Sequence, residues 1–408
     1  MEFGGFVNAF GTGVVYPFLF IYLRNVRGFD LETAGLIVGT NAAVALVSGP
    51  VAGAVIDRVG ARRTLMPTLV LLAGAFVGFA FIHRPWQAFL AATGVGIGNG
   101  FFWPSQNSLL AGITPEARRH AGFSLRRVSE NLGFGLGGAT AGLVAATSRP
   151  GTFTALFAID AATYLLFLLL LLSVPEASVE REAAATGNGY RDTLRDRVFV
   201  SLLAINVVFV TAGYAQLETL PVFAKNHMHV AESGIGLVFL ANSLVIVVVQ
   251  LPVTKLVEGR RRMAMLAVMT LFWATAWLVV FATGLWLVAA AATAAIVAAV
   301  VVFGVGECLQ GATQQALIAD LAPPRLRGRY MALSSNSWSI GWIAGPVLGA
   351  LMLEHTPNAL WPTAAAACLV AGAAGLLLER RLPTDARRTP EEAIPAAAPA
   401  ERGLEASV

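Results

Sequence analysis

Long apolar runs alternate with short polar connections along most of the chain. A helix needs about 20 predominantly apolar residues to cross the roughly 30 Å hydrocarbon core of a bilayer. Windows of that length predict twelve membrane-spanning helices, near residues 3–23, 33–55, 64–82, 88–110, 123–146, 152–173, 198–222, 233–256, 263–282, 287–312, 330–352 and 359–378. The tenth apolar run continues in a helical pattern towards Asp320, which allows a longer helix there.

The longest polar connection divides the predicted helices into two groups of six. It covers residues 174–197, carries charges of both signs and contains Gly187-Asn188-Gly189, a composition typical of a linker. We therefore predict an all-α membrane protein with an N-terminal six-helix bundle at 1–173, a cytoplasmic central linker at 174–197 and a C-terminal six-helix bundle at 198–380. Residues 381–408 are rich in Ala, Pro and Glu, which predicts a disordered cytoplasmic tail.

An internal repeat supports this division. A constant shift of 208 residues places Gly96-Ile97-Gly98-Asn99 on Gly304-Val305-Gly306-Glu307, and it also superposes Pro115 on Pro323 and Gly133 on Gly341. Parallel repeats of this kind place the substrate site at mid-membrane between the halves, and one half rocks against the other to give alternating access.

Composition and charge agree with a membrane protein and give its orientation. Of 408 residues, 56% are hydrophobic and 13% are charged, and the mean hydropathy is +0.69. The loops on one side hold 23 of the 28 lysines and arginines, and basic loops stay in the cytoplasm during insertion. Both termini are thus predicted to be cytoplasmic. The same bias explains the net charge of +4 without a nucleic-acid partner.

A charged hinge joins the second and third predicted helices, with the pattern Gly53-x-x-x-Asp57-Arg58-x-Gly60-x-Arg62-Arg63. This pattern resembles the signature loop of the major facilitator superfamily, and residues 320–330 resemble the loop between helices 10 and 11 of its drug/proton antiporter-like, twelve-helix members. The resemblance implies a transporter with two six-helix halves. Residues 87–111 lack the arginine that drug antiporters carry in helix 4, so that element cannot couple protons here.

Each hinge residue has an expected role. Gly53 is expected to allow close helix packing, and Gly60 to form the turn. Asp57 is expected to meet the positive end of helix 11 near Arg329 and to latch the cytoplasmic side shut. Two interpretations stay open for the basic residues Arg58, Arg62 and Arg63, a topological role and a gating role.

Acidic residues inside predicted helices cost several kcal/mol to place in a membrane, so they are functional candidates. Glu307 repeats the position of Asn99, and Glu218 lies one turn before Pro221. Both are predicted to carry the coupling proton. Asp160 is a third candidate, although a structural hydrogen bond between helices explains it equally well. Glu130 lies one turn after Arg126, and an ion pair within the helix is the simpler interpretation.

Polar and aromatic residues on the helices expected to face the cavity are candidates for substrate contact. An alternative for each is helix packing or a hydrogen bond between helices. The candidates are Asn8, Thr12, Tyr16, Asn99, Trp103, Tyr214, Gln216, Gln310, Asn336 and Trp338.

These features predict a monomeric secondary transporter of a bacterial-type inner membrane that exports a small lipophilic molecule in exchange for protons. Uptake or facilitated diffusion of a polar metabolite is an alternative if Asn8, Asn99, Gln310 and Asn336 converge. A non-transporting scaffold or sensor is an alternative of another class. We found no phosphate-binding loop or catalytic triad pattern in the sequence, so we expect no enzymatic activity, cofactor or metal.

Overall fold

The computed structural model describes residues 2–113, 119–174, 193–323 and 326–389. These residues form twelve long helical segments: α1 Glu2–Ile21, α2 Leu31–Val59, α3 Ala61–Ala80, α4 Pro85–Ile113, α5 Arg119–Val144, α6 Gly151–Leu172, α7a Arg197–Phe209 continued by α7b Gln216–Met228, α8 Glu232–Val257, α9 Arg262–Trp286, α10 Ala289–Leu321, α11 Arg327–His355 and α12 Pro357–Leu378. The long tenth helix is confirmed. The predicted all-α membrane fold is confirmed as well.

Nine of the helical segments in the described part of the chain are long and apolar enough to cross a bilayer. The others, α4, α5 and α11, contain more glycine and more polar side chains. Such helices are shielded from lipid by packing against other helices.

The two halves repeat one packing scheme. In the first half, α1 packs against α5 and α6, α3 against α4 and α6, and α2 against α4. In the second half, α7 packs against α11 and α12, α9 against α10 and α12, and α8 against α10. Two extensively packed helix pairs, α2 with α11 and α5 with α8, join the halves, together with a smaller contact between α1 and α7b. The sequence repeat therefore corresponds to a structural repeat.

Small residues allow the halves to approach closely along these two pairs. A Cβ atom added to Gly236 of α8 would lie 2.5 Å from the carbonyl oxygen of Gly138 on α5. On the other side, a Cβ added to Gly35 of α2 would lie 2.6 Å from Cβ of Ala350 on α11. Backbones at this distance gain dispersion contacts that larger residues would prevent.

Polar contacts between the halves gather at the end of the bundle opposite the arginine-rich loops. We call these the arginine-poor end and the arginine-rich end. At the arginine-poor end the cross-half pairs are Asn25 with Asn226 at 2.7 Å, Glu32 with His355 at 2.6 Å, Thr147 with Glu232 at 3.0 Å, Leu31 with Glu354 at 3.1 Å and Arg24 with Glu354 at 3.9 Å. These contacts hold that end closed.

A π-helical turn, Val210–Tyr214, interrupts the seventh span. Such a turn inserts one residue and releases carbonyl groups from the regular hydrogen-bond pattern. Here Nε2 of Gln216 donates to the oxygen of Thr211 at 2.8 Å, and Nε1 of Trp277 donates to the oxygen of Ala212 at 2.9 Å. Both side chains therefore satisfy backbone groups inside the bundle.

The chain after α12 folds back over the arginine-rich end of the second half. We call residues 382–389 the strap. Its backbone pairs with the α8–α9 turn, because Thr389 N donates to the Arg260 oxygen and Gly259 N to the Thr389 oxygen, both at 3.0 Å. Two strap residues, Leu382 and Ala386, are buried. The structure thus differs from the predicted disorder at residues 381–389, whereas residues 390–408 and most of the predicted linker lie outside the described residues.

Candidate functional site

Gly60 forms the turn between α2 and α3. Gly60 has φ 96° and ψ 150°, a conformation that other residues rarely adopt, so its predicted role in the turn is explained. Arg62 donates to the main-chain oxygens of Leu171 at 3.1 Å and Leu172 at 2.9 Å. It therefore caps the last carbonyls of α6, within its own half.

The expected latch is not formed in this conformation. Asp57 is exposed and has neither a hydrogen bond nor an ion pair with any described residue. The close packing expected at Gly53 is also absent, since an added Cβ would meet no described atom within 4 Å. In this conformation the polar contacts between the halves lie at the arginine-poor end.

Glu307 lies in the interior and accepts a hydrogen bond from the other helix of its packing pair. Glu307 is 6% exposed, and Nδ2 of Asn242 on α8 donates to its Oε2 at 2.6 Å. The repeat-related Asn99 on α4 donates to Oδ1 of Asn41 on α2 at 3.1 Å. Each half thus joins its second and fourth helices by one polar pair at the same depth.

The structure also explains why Asn41 and Asn242 escaped the sequence analysis. We weighted acidic residues in the spans and compared the halves at a shift of 208, whereas these two asparagines are 201 residues apart. The connections between the helices differ in length, so a second register was needed. A search for asparagines on α2 and α8 would have supplied the signal.

A chain of amides runs from the region of Glu307 towards the arginine-rich end. Gln310 donates to Gln314 at 2.7 Å, Gln314 donates to Asn206, and Asn206 donates to Ser337 at 2.7 Å. The chain borders a small cavity of about 20 Å³, room for about one water molecule. It therefore links α10, α7a and α11 inside the second half.

The other two acidic candidates lie elsewhere. Glu218 is half-buried on α7b, and its Oε2 has no partner among the described residues. Asp160 on α6 is fully buried, and neither carboxyl oxygen has a described partner. The hydroxyl of Thr163 donates to the main-chain oxygen of Asp160 at 2.7 Å instead. Glu130 forms the expected ion pair with Arg126 at 3.0 Å.

The polar cavity candidates separate into two groups. Tyr16 accepts from Asn99 at 3.2 Å in the first half, and Gln310 belongs to the amide chain of the second. Asn8 is buried against α6, with its Nδ2 lacking a partner in the described part of the chain. Asn336 is exposed. The structure therefore does not bring Asn8, Asn99, Gln310 and Asn336 together.

Two further candidates donate hydrogen bonds to main-chain oxygens of the helices. The hydroxyl of Thr12 donates to the oxygen of Asn8 at 3.0 Å on its own helix. Gln216 donates to the oxygen of Gly345 on α11 at 3.2 Å, besides its bond to the π-helical turn. These contacts are the helix-to-helix and within-helix bonds that we weighed as the alternative.

The aromatic candidates form one cluster and one exposed site. The ring of Tyr214 lies 5.1 Å from Trp273, 5.1 Å from Trp338 and 6.0 Å from Phe303, measured between centroids. Trp103 is 46% exposed, and the Arg126 guanidinium lies 5.8 Å over its ring. Trp273 and Phe303 are fully buried, which is the core packing that we weighed as the alternative, whereas Tyr214 and Trp338 are partly exposed. Tyr214 lies near the buried acid Glu307.

Comparison with known proteins decides the family. A family model described as Major Facilitator Superfamily matches residues 1–230 and 211–404. The chain belongs to the major facilitator superfamily. It is therefore a multi-pass membrane transporter and not an enzyme.

Relatives within the superfamily cover most of both chains. The MFS-type transporter YhjO of Bacillus subtilis is 28% identical over 92% of this chain and 90% of its own. The multidrug resistance protein MdtH of Cronobacter sakazakii is 24% identical over 86% of each. A Na(+), Li(+), K(+)/H(+) antiporter of Planococcus maritimus is 25% identical over 82% of this chain and 84% of its own.

Solved structures show the same fold at low sequence identity. A POT family transporter in complex with 5-aminolevulinic acid has a TM-score of 0.78 at 15% identity, covering 93% of this chain and 95% of its own. The nucleoside transporter NupG has a TM-score of 0.76 at 13% identity, covering 92% of this chain and 99% of its own. These structures establish the architecture and leave the substrate open.

Proposed function

We propose that this superfamily member exports a small lipophilic compound in exchange for protons. The observation that carries the proposal is Glu307, a carboxyl group buried at the interface of α8 and α10 with a neutral amide as its hydrogen-bond donor. A buried carboxylate without full compensation costs several kcal/mol. Such a group takes up a proton when its counter-charge withdraws, which is the property a coupling site needs.

Two further observations support export of a lipophilic compound. Tyr214 and Trp338 are partly exposed, and Tyr214 lies near Glu307; aromatic rings are typical of sites that bind apolar ligands. Two relatives carry the names of a multidrug resistance protein and of a cation/H(+) antiporter. Uptake of a polar metabolite is less well supported, because the four residues it required are separated.

Alternating access in this proposal uses the latch at Asp57. The described conformation is closed at the arginine-poor end by the cross-half contacts there. Rocking of the halves would separate these pairs and bring Asp57 to the beginning of α11. The side chains of Arg325 and Arg327 lie outside the described residues, so the exact partner is part of the proposal.

The coupling assignment is tested in proteoliposomes. With a lipophilic cation such as ethidium as the probe and a pH-sensitive dye inside, the unmodified protein should exchange protons for probe. The double variant Glu307→Gln/Glu218→Gln should lose this exchange. The control Glu258→Gln neutralises a carboxylate that lies in the α8–α9 turn, and it should retain the exchange. Unchanged exchange in the double variant contradicts the assignment, and equal loss in Glu258→Gln points to general damage.

Orientation has its own test. We propose that the arginine-rich end and both termini are cytoplasmic. Val59 and Trp86 are exposed at opposite ends, 45% and 61% respectively. A cysteine at residue 86 should react with a membrane-impermeant maleimide in intact cells, and one at residue 59 only after permeabilisation. The opposite pattern would reverse the topology.

A further inference from the structure

Two consecutive arginines on α5 point to different halves of the protein. Arg126 turns back into its own half, where it pairs with Glu130 at 3.0 Å. Arg127 reaches α10 of the other half, because a Cβ added to Gly311 would lie 2.7 Å from its Nη2 and 3.0 Å from its Nη1. Glycine at position 311 is what leaves room for the guanidinium.

Gly311 and Glu307 are four residues apart on α10, so they share one face of the helix. Arg127 therefore lies one turn from the buried carboxyl, and its charge acts on that group. The titratable groups that face Glu307 besides Arg127 are Tyr214 from the seventh span and the neighbouring Cys308. The α8 helix presents Asn242 and the α9 helix presents Trp273, neither of which carries a charge.

The repeat shows that this placement is specific to the second half. Trp103 occupies the position on α4 that Gly311 occupies on α10, at the shift of 208. Arg126 lies over the Trp103 ring at 5.8 Å, and Arg127 lies against the bare backbone of Gly311. One helix of the first half thus supplies an arginine to each half, and the one that reaches the second half lies one helical turn from the buried acid.

We propose that Arg127 is the cross-half counter-charge of Glu307, and that their attraction links the proton on Glu307 to the approach of α5 and α10. This inference rests on the proposed proton coupling. An anionic Glu307 attracts Arg127 and favours conformations in which the two helices are close. A proton on Glu307 removes the attraction, and Asn242 remains as its partner within the second half. Arg127 is a positioning residue in this scheme and need not touch the substrate.

The first test separates driven transport from exchange. Arg127→Gln should reduce proton-driven ethidium transport in proteoliposomes about tenfold, within the usual range of coupling between two sites. Ethidium counterflow without a pH gradient should stay within about twofold, because the pathway itself is unchanged. Arg149→Gln, which removes an exposed arginine at the arginine-poor end, should alter neither rate.

A second variant perturbs the same contact without removing a charge. Gly311→Ala places a methyl group where the guanidinium now lies, and a flexible arginine side chain can move aside. We expect the same selective loss of driven transport, roughly threefold. This variant keeps the inference testable if Arg127→Gln does not fold.

The last measurement does not depend on transport. Spin labels on cysteines at residues 59 and 260, which are exposed on the two hinges, report the width of the arginine-rich end, because the native Cys308 and Cys368 are buried. In the unmodified protein the distance should change with pH, and Arg127→Gln should abolish that change. A pH response that persists in Arg127→Gln overturns the inference, as does parallel loss of counterflow. A pH response that depends on Arg127 without any proton-driven transport would instead refute the proposed function alone.

Discussion

The two hinges at the arginine-rich end share a sequence and differ in what surrounds them. The α2–α3 hinge contains Gly60-Ala61-Arg62-Arg63, and the α8–α9 hinge contains Gly259-Arg260-Arg261-Arg262. Both glycines have positive φ, 96° and 68°. The pattern Gly-x-Arg-Arg thus places a glycine of positive φ in the turn of both halves.

The first arginine of the Gly-x-Arg-Arg pattern binds the end of the last helix in its own half. Arg62 binds the last carbonyls of α6, at 3.1 Å and 2.9 Å. Arg261 binds both carboxylate oxygens of Glu379 just after α12, with Nε at 2.9 Å. Since α6 and α12 are equivalent in the repeat, the arginines hold equivalent ends by different chemistry. This supports an internal fastening role for Arg62, distinct from the gate proposed at Asp57.

The two hinges differ in the residues that pack over them. The second hinge is paired with the strap and contains a fully buried Arg262, which binds Asp320 of α10 and donates to the Ala386 oxygen at 3.4 Å. The first hinge exposes Asp57. The comparison indicates that the second half is fastened as a rigid body at this end, whereas the first half offers an unsatisfied carboxylate.

The largest effect is expected at Asp320. Asp320→Ala leaves the buried Arg262 guanidinium without its counter-charge, and because Asp320 itself is 47% exposed, we expect a loss of about 2–3 kcal/mol, below the cost for a fully buried pair. The measurement is the free energy of unfolding in mixed micelles. Asp57→Ala is the matched control, since it removes an aspartate from the other hinge, and equal losses would contradict the difference between the hinges.

The two turn glycines should differ next. Gly60→Ala forces a side chain into φ 96°, ψ 150°, which costs about 2 kcal/mol. Gly259 at φ 68° lies nearer the left-handed helical region, so Gly259→Ala should cost about 1 kcal/mol. The same unfolding measurement compares them. A larger loss at Gly259 would show that the strap, and not the turn, sets the cost.

Smaller and similar effects are expected for the two fastening contacts. Arg62→Gln and Glu379→Gln should each cost about 1 kcal/mol, because each removes partly exposed hydrogen bonds to a charged group. Arg58→Gln is the control, as that exposed arginine has no hydrogen bond or ion pair with the described residues, and it should change stability by less than about 0.5 kcal/mol. A large loss of stability in Arg58→Gln would contradict this assignment, because it would show that Arg58 also stabilises the hinge.

Asp57 should have the smallest effect on stability and a clear effect on transport. Asp57→Asn should alter unfolding by less than about 0.5 kcal/mol in the described conformation. If Asp57 latches the closed arginine-rich end, the variant should slow ethidium counterflow several-fold, in keeping with a coupling of about 1 kcal/mol. Normal counterflow in a normally folded Asp57→Asn variant would remove the latch from the mechanism.

Much of the fold follows from the sequence because hydrocarbon imposes one strict length on every span. The twelve runs, the long α10 and the Arg126–Glu130 pair were all predictable from local patterns. The positive φ of Gly60 also follows from a glycine between two charged helix ends. Each of these depends on residues close together in the chain.

The remaining features depend on distant residues or on the conformational state. The strap joins Thr389 to Gly259, 130 positions apart, and the sequence that follows it is rich in Ala and Pro, which resembles disorder. The reach of Arg127 to Gly311 depends on how α5 packs against the second half. The partner that we predicted for Asp57 does not contact it in the described conformation. Local patterns carry none of this information.

The π-helical turn Val210–Tyr214 has a consequence for the angular phase of the seventh span. Each residue of an α-helix turns the chain by about 100°, and a π-helical turn accommodates one residue more than the regular pattern. Everything beyond Tyr214, including Glu218, therefore faces a direction about 100° away from the one a continuous helix would give. Gln216 and Trp277 hold that phase by occupying the released carbonyls.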